Sequence, residues 1–409
     1  MSFQIEDGVL LMYTPEPDET DVIIPDGVTE IGTEAFALAR GLRSIRLPNS
    51  VTKIGSAAFK GCAVLQAAVL PDGLESIDDE AFSWCVNLSK CSIPENVTKI
   101  GNATFMQCES LQTVVLPNGL KTIGYEAFSG CINLAECPIP ESVTKIGREA
   151  FSCCKNLTEI MLPKGITEIE EETFSFCISL KEIVIPDGIT EIGKSAFLYC
   201  KSLRLIQFPN SLKTIGDGAF ADCSCLESIV LPDGLEHIGS STFAECSRLT
   251  EAVIPESVTE LADNAFEWSK EFCMIRLREN DPAFVRAYSK FGGKGILDGL
   301  EMLRTEDYAK RVRPKIKYPF LAMHYLHTHD PRLAIYIRYE LDHFMYELIP
   351  NGFVQFITEL AEAGIFFTAN NIDRFIQRAQ DTEQTEITML LLNYKNTHFG
   401  FEAPEPMRL

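Results

Sequence analysis

Cysteine and histidine are the side chains in this chain best suited to metal binding or covalent chemistry, and it has fourteen of one and six of the other. Nine cysteines follow one another at intervals of 23 residues: Cys62, Cys85, Cys108, Cys131, Cys154, Cys177, Cys200, Cys223 and Cys246. A metal centre needs ligands converging from several directions, and one thiol per repeat supplies a line. A disulfide needs Cα atoms about 4.4 to 6.8 Å apart, whereas stacked helical turns sit nearer ~10 Å apart. The expected state is therefore buried, reduced thiols packed as small hydrophobes. Unpaired thiols in such number suit a reducing compartment. A second group is His324, His327 and His329, with Asp330 next and His343 further on. His324 and His327 can share a helix face as zinc ligands do. No HExxH or CxxC motif accompanies them and aromatic residues surround them, so structural histidines are the preferred reading. No metal site and no cofactor is expected.

Other catalytic signatures are missing. The sequence has no nucleophile elbow, no phosphate-binding glycine loop and no carboxylate pair in a catalytic context. The expectation is a protein that is not an enzyme. The segment KRVRPKIK carries Lys310, Arg311, Arg313, Lys315 and Lys317, and it is read as solvated or docked on acidic surface rather than bound to nucleic acid. The formal charge of −22 also argues against nucleic acid as a partner. No apolar stretch reaches the roughly eighteen residues needed to span a bilayer. The start, MSFQIEDGVLLMYTPEPDE, has no basic segment and only a short apolar run, unlike an export signal. A cytoplasmic location is expected, with the cell surface or secretion as the alternative.

The elements that carry these residues are set by an internal repeat. Eleven prolines stand 23 residues apart from Pro25 to Pro255, and each opens one unit. Counting that proline as position 0, position 11 is Phe in all eleven units, from Phe36 to Phe266. Position 6 is Ile in ten and position 17 Leu in ten; position 7 is Gly in eight. Positions 20 and 22 are both apolar, as at Ile183 and Ile185, the period of a short strand. Proline then ends the strand because it has no N–H to give a ladder. Positions 10, 11 and 14 put a small residue, Phe and Cys on one side of a short helical turn. A unit of this size cannot bury its own apolar face, but a stack of them can. The fold class follows: an α/β repeat, a right-handed leucine-rich-repeat solenoid with a parallel sheet on one face and helical turns on the other, then an all-α C-terminal domain.

Units such as LPNGLKTIGYEAFSGCINL and IPESVTKIGREAFSCCKNL resemble the BspA-type leucine-rich repeats of bacterial surface proteins. The resemblance covers residues 25–277, and residues 1–24 are similar to the family's N-terminal cap. It implies protein–protein interaction, often adhesion to host or neighbouring cells, and no catalysis. It does not imply a particular ligand.

If positions 20 and 22 point inward, positions 19 and 21 face solvent. In the middle units they give an acidic row, Glu136, Glu159 and Glu182, beside an apolar row, Val115, Met161 and Val184. An exposed apolar stripe edged by charge is the usual form of a partner site; the competing reading is β-branched residues that favour strands. These six residues are the candidate site for a protein partner. Oligomeric state is left open.

After Leu277 the repeat is lost. Residues 278–409 hold 16 basic and 18 acidic residues, so nearly all the negative charge lies on the repeats. Helical spacing is expected at 319–328, in one long helix opened by Pro331 and broken by Pro350–Gly352, and at 353–363, 371–380 and 384–397. The last two resemble an ankyrin helix pair. A module of this kind would cover the open end of the solenoid.

Overall fold

The computed structural model describes residues 2–16, 19–267, 273–276, 284–287, 293–305, 307–308 and 311–400. The chain forms two compact units, Met1–Cys273 and Met274–Leu409.

The first unit is a β-solenoid of about eleven 23-residue rungs. Rung 1 begins at Pro25 and rung 11 at Pro255. Position 11 supplies a line of phenylalanine rings through its centre. From Phe36 to Phe266 successive ring centroids lie 5.1–5.7 Å apart, with ring planes within 24° of parallel. The line starts in the cap. Ser2–Glu6 and Val9–Thr14 form an antiparallel hairpin, and Tyr13 stacks on Phe36 at 4.8 Å. Val9–Leu10 and Asp21–Ile23 then pair with rung 1 as though they belonged to a preceding rung.

Most rungs touch the next along three ladders. The front ladder is the expected one: positions 19–21 form parallel three-residue strands, in register with the rung on either side. A second ladder, at positions 5–6, runs along the side. It pairs Glu30–Ile31 with Lys53–Ile54 and continues rung by rung. Glycine at position 7 lets the backbones approach there. A Cβ on Gly124 would sit 2.7 Å from the Gly101 backbone, and one on Gly147 would sit 2.7 Å from the Tyr125 nitrogen.

The third ladder corrects an expectation. Positions 8–13 do not form a helical turn. Positions 9 and 13 take left-handed backbone in rung after rung, for example Glu126 (φ 51°) and Gly130 (φ 73°), or Glu172 (φ 54°) and Phe176 (φ 59°). Two such residues four apart cannot belong to one right-handed helix. The N–H groups at positions 9, 11 and 13 instead donate to the next rung: Glu126 to Arg148 O, Phe128 to Ala150 O and Gly130 to Ser152 O, at 2.8–3.0 Å. The turns therefore stack at close to strand spacing, not at the width of a helix.

The second unit contains seven helices in the described residues: α1 (Gly293–Thr305), α2 (Pro314–Thr328), α3 (Pro331–Tyr339), α4 (Leu341–Leu348), α5 (Val354–Ala363), α6 (Ile372–Asp381) and α7 (Thr385–Phe399). A short strand, Phe284–Ala287, precedes them. Asp330 caps α3 by accepting the Arg332 N–H at 2.9 Å. The single long helix expected after Pro331 is two. Glu340 leaves helical geometry (φ −99°, ψ 15°), and its carboxylate is shared by the Tyr318 hydroxyl at 3.3 Å and His343 at 2.8 Å. Helix α1 has no counterpart in the sequence reading, because Gly295 and Gly299 weaken its helical signal. Both are there for contact with α2: a Cβ on Gly299 would run into the Phe320 ring.

Candidate partner-binding face

On the front ladder position 20 is buried, as at Cys91, Val114, Ile183 and Ile229, while position 21 faces out. Val115 is 61% exposed, Met161 79% and Val184 57%. Glu136, Glu159 and Glu182 are exposed on successive rungs of the same face. All six candidate residues thus share one surface. The apolar row is longer than those three positions and includes Ile23, Val69 and Val230. Val253 breaks the alternation: it is buried, although position 21 is expected outside. Met274 and Arg276, at positions 19 and 21 of rung 11, have side chains outside the described residues.

The glutamates differ from the charges beside them. On the side of the solenoid several charged residues one rung apart are opposite in sign, although Glu168 stands against Glu191. Lys53 meets Glu30 at 3.0 Å, Lys213 meets Glu236 at 2.9 Å and His237 meets Glu260 at 2.8 Å. Glu136, Glu159 and Glu182 have no ion pair or hydrogen bond among the described residues. Like charges on neighbouring rungs repel one another.

The cysteines form a structural ladder. All nine position-14 thiols are buried, and each Sγ–H donates to the phenylalanine carbonyl of the preceding rung, from Cys62 to Phe36 O (3.1 Å) through Cys246 to Phe220 O (3.2 Å). Burial pushes the thiols of Cys62 and Cys246 up to about 12. Cys91 and Cys137 in the front strands rise to about 12 for the same reason. No disulfide joins the thirteen described cysteines. The spacing argument against disulfides fails, since the turns stack closely. What holds these thiols is burial and a hydrogen-bond acceptor. Sealed in this way, they report the fold rather than the compartment.

The histidines are not brought together. His324 is buried in α2, His329 pairs with Glu359 at 3.3 Å and His343 with Glu340 at 2.8 Å. The side chain of His327 lies outside the described residues. No cluster of three metal-binding side chains occurs among the described residues. The basic segment does not form one surface. Arg311, Arg313 and Lys315 are exposed, but Lys317 is buried, its ammonium 5.1 Å from the Tyr336 ring centre. Burial lowers the pKa of Lys317. Lys310 lies outside the described residues.

The family model described as BspA type leucine rich repeat region matches residues 18–135, 75–204 and 144–273. The chain belongs to this family. The BspA-type rungs are also similar to solved structures of bacterial repeat proteins. A leucine rich cell surface protein from Faecalibacterium prausnitzii is 28% identical, over 64% of this chain and 87% of that one, with a TM-score of 0.41. A leucine-rich repeat protein from Bacteroides ovatus is 27% identical over 65% and 90% of the two chains, with a TM-score of 0.42. The pneumococcal vaccine antigen PcpA is 21% identical over 68% and 85%, with a TM-score of 0.47. No match is found among curated proteins. No helix among the described residues is long and apolar enough to cross a membrane.

Proposed function

We propose that this BspA-type protein is a non-enzymatic scaffold that binds a protein partner on the front face of its solenoid, across rungs 4–7. One observation carries the reading: three glutamates without an ion pair among the described residues, on successive rungs beside an exposed apolar row. Apolar area contributes affinity when a partner covers it, and a basic partner relieves the repulsion among the carboxylates. The partner segment that fits therefore combines Lys or Arg with apolar side chains. Adhesion to proteins of host or neighbouring cells is one use of such a face, and membership of the family favours it.

The test changes charge without touching the core. The triple substitution Glu136→Lys, Glu159→Lys and Glu182→Lys is expected to leave the circular dichroism spectrum and melting temperature near those of the parent. A partner recovered from the native cell and identified should bind the variant at least about tenfold more weakly, since each close charge contact of this kind is worth roughly a kcal/mol or more. Unaltered affinity in a well-folded variant would remove the glutamates from the interface.

A further inference from the structure

We propose that the solenoid carries a hinge between rung 6 (residues 140–162) and rung 7 (residues 163–185), in the middle of the candidate face. Among the described residues, only at this level are both strand ladders interrupted; the front ladder also parts between Leu205–Gln207 and Ser228–Val230, but the side ladder runs on there. The front ladder runs as five strands from Asp21–Ile23 to Thr113–Val115 and reaches rung 5 by a single bridge, Thr113 to Glu136. It resumes with Glu182–Val184 paired to Leu205–Gln207. The side ladder ends at Lys145–Ile146 and resumes with Glu168–Ile169 paired to Glu191–Ile192.

The front ladder thins first at rung 5, where Pro138 at position 21 has no N–H to donate to rung 4. Glu170 takes position 7 of rung 7, where the neighbouring rungs have glycine. Asp78 and Ala262 also fill position 7 and still donate to Ile54 O at 2.9 Å and Ile238 O at 3.0 Å, so what sets Glu170 apart is where its carboxylate goes. The Glu170 carboxylate takes over the contact. It accepts the Arg148 backbone N–H at 2.9 Å and meets Lys145 at 3.2 Å, while Arg148 reaches Glu171 at 3.2 Å. Hydrogen bonds between two backbones have been replaced by long, partly exposed ionic side chains, which yield more readily and weaken with salt.

The turn ladder is unbroken at this level. Glu149, Phe151 and Cys153 donate to Glu171, Thr173 and Ser175 at 2.8–3.0 Å. Phe151 stacks on Phe174 at 5.6 Å, Cys177 donates to Phe151 O at 3.2 Å, and the Ser152 and Ser175 hydroxyls meet at 2.8 Å. The two halves stay joined along this edge; on the front the Lys181 N–H still reaches Thr158 O at 3.2 Å, ahead of the missing strand pairs, and on the side the contact is left to side chains. Glu159 and Met161 lie on one half, Glu182 and Val184 on the other. Flexing resets their separation, which lets the face adapt to what it binds; that consequence rests on the proposed binding role, whereas the flexing does not.

Hydrogen–deuterium exchange on the free full-length chain at low salt tests the hinge without any partner. Protection at Leu162 and Glu170 is expected to be about tenfold or more below that at Ile185 and Gly193, the same positions one rung along, which donate to Gln207 O and Ile169 O, because unladdered amides open locally. Amides of Glu149, Phe151 and Cys153 should stay as protected as Glu172, Phe174 and Phe176. In a Glu170→Gly variant the protection at residue 170 should rise to that of Gly193. Equal protection of the two rungs in the parent, or no change at residue 170 in a folded variant, overturns the proposal.

Discussion

Raising the pH above 9 is expected to unfold the solenoid cooperatively near pH 10, through its thiols. An unfolded thiol ionises near its ordinary value of 9.0, while folded Cys62, Cys91, Cys137 and Cys246 hold their protons to about 12. The other seven buried thiols are raised in the same direction, by burial first. Below pH 9 both states keep their protons and pH has no leverage through these groups. Above it the unfolded chain releases protons that the folded chain retains, so stability falls with rising pH until the folded values are reached. One unit above 9 each such thiol costs about 1.4 kcal/mol. Eleven together give on the order of 15 kcal/mol, as much as a typical domain has to lose. Melting temperature followed from pH 7 to 10.5 in the presence of a reductant should fall steeply beyond 9. A variant with Cys131, Cys154 and Cys177 replaced by alanine should show a shallower slope, by three protons' worth. A flat profile to pH 10.5 would mean that the thiols are open to solvent.

Truncation in the aromatic line has the second large effect. Phe151→Ala removes a fully buried ring stacked on Phe128 at 5.3 Å and on Phe174 at 5.6 Å. The loss should be about 3–5 kcal/mol, read from urea unfolding. It falls on two interfaces at once, because a rung in a one-dimensional stack is held only by its neighbours. Val184→Ala on the front face should cost no more than about 0.5 kcal/mol, since Val184 is 57% exposed and carries little of the packing. Comparable costs for the two substitutions would show that position 11 is not the centre of the stack.

Much of this arrangement could be read from the residues themselves. Phenylalanine at position 11 of every unit and isoleucine at position 6 of ten could satisfy a 23-residue period only as a stack, and both lines are buried from rung to rung. The alternation at positions 19–22 is enough to put Glu136, Glu159, Glu182, Val115, Met161 and Val184 on one face. The turn was misread because small residue, Phe and Cys at positions 10, 11 and 14 fit a helix face equally well. What decides against the helix is left-handed backbone at positions 9 and 13, and only a few rungs advertise it with glycine, such as Gly61, Gly130 and Gly218. The side ladder was invisible for another reason. It is two residues long, and a period of two cannot be recognised in two residues. In the helical unit, the split at Glu340 depends on Tyr318, 22 positions earlier, a contact that local spacing does not encode.

Methionine oxidation on the complex addresses the front-face reading most directly. Met161 is 79% exposed at the centre of the candidate face, while Met12 and Met389 are 57% and 56% exposed elsewhere. In the free protein all three should oxidise readily under hydroxyl-radical or mild peroxide labelling. With the captured partner bound at saturation, Met161 should become protected while Met12 and Met389 keep their free-protein rates. A Met161 that oxidises as fast in the complex as alone would place the partner somewhere other than the front of rungs 4–7.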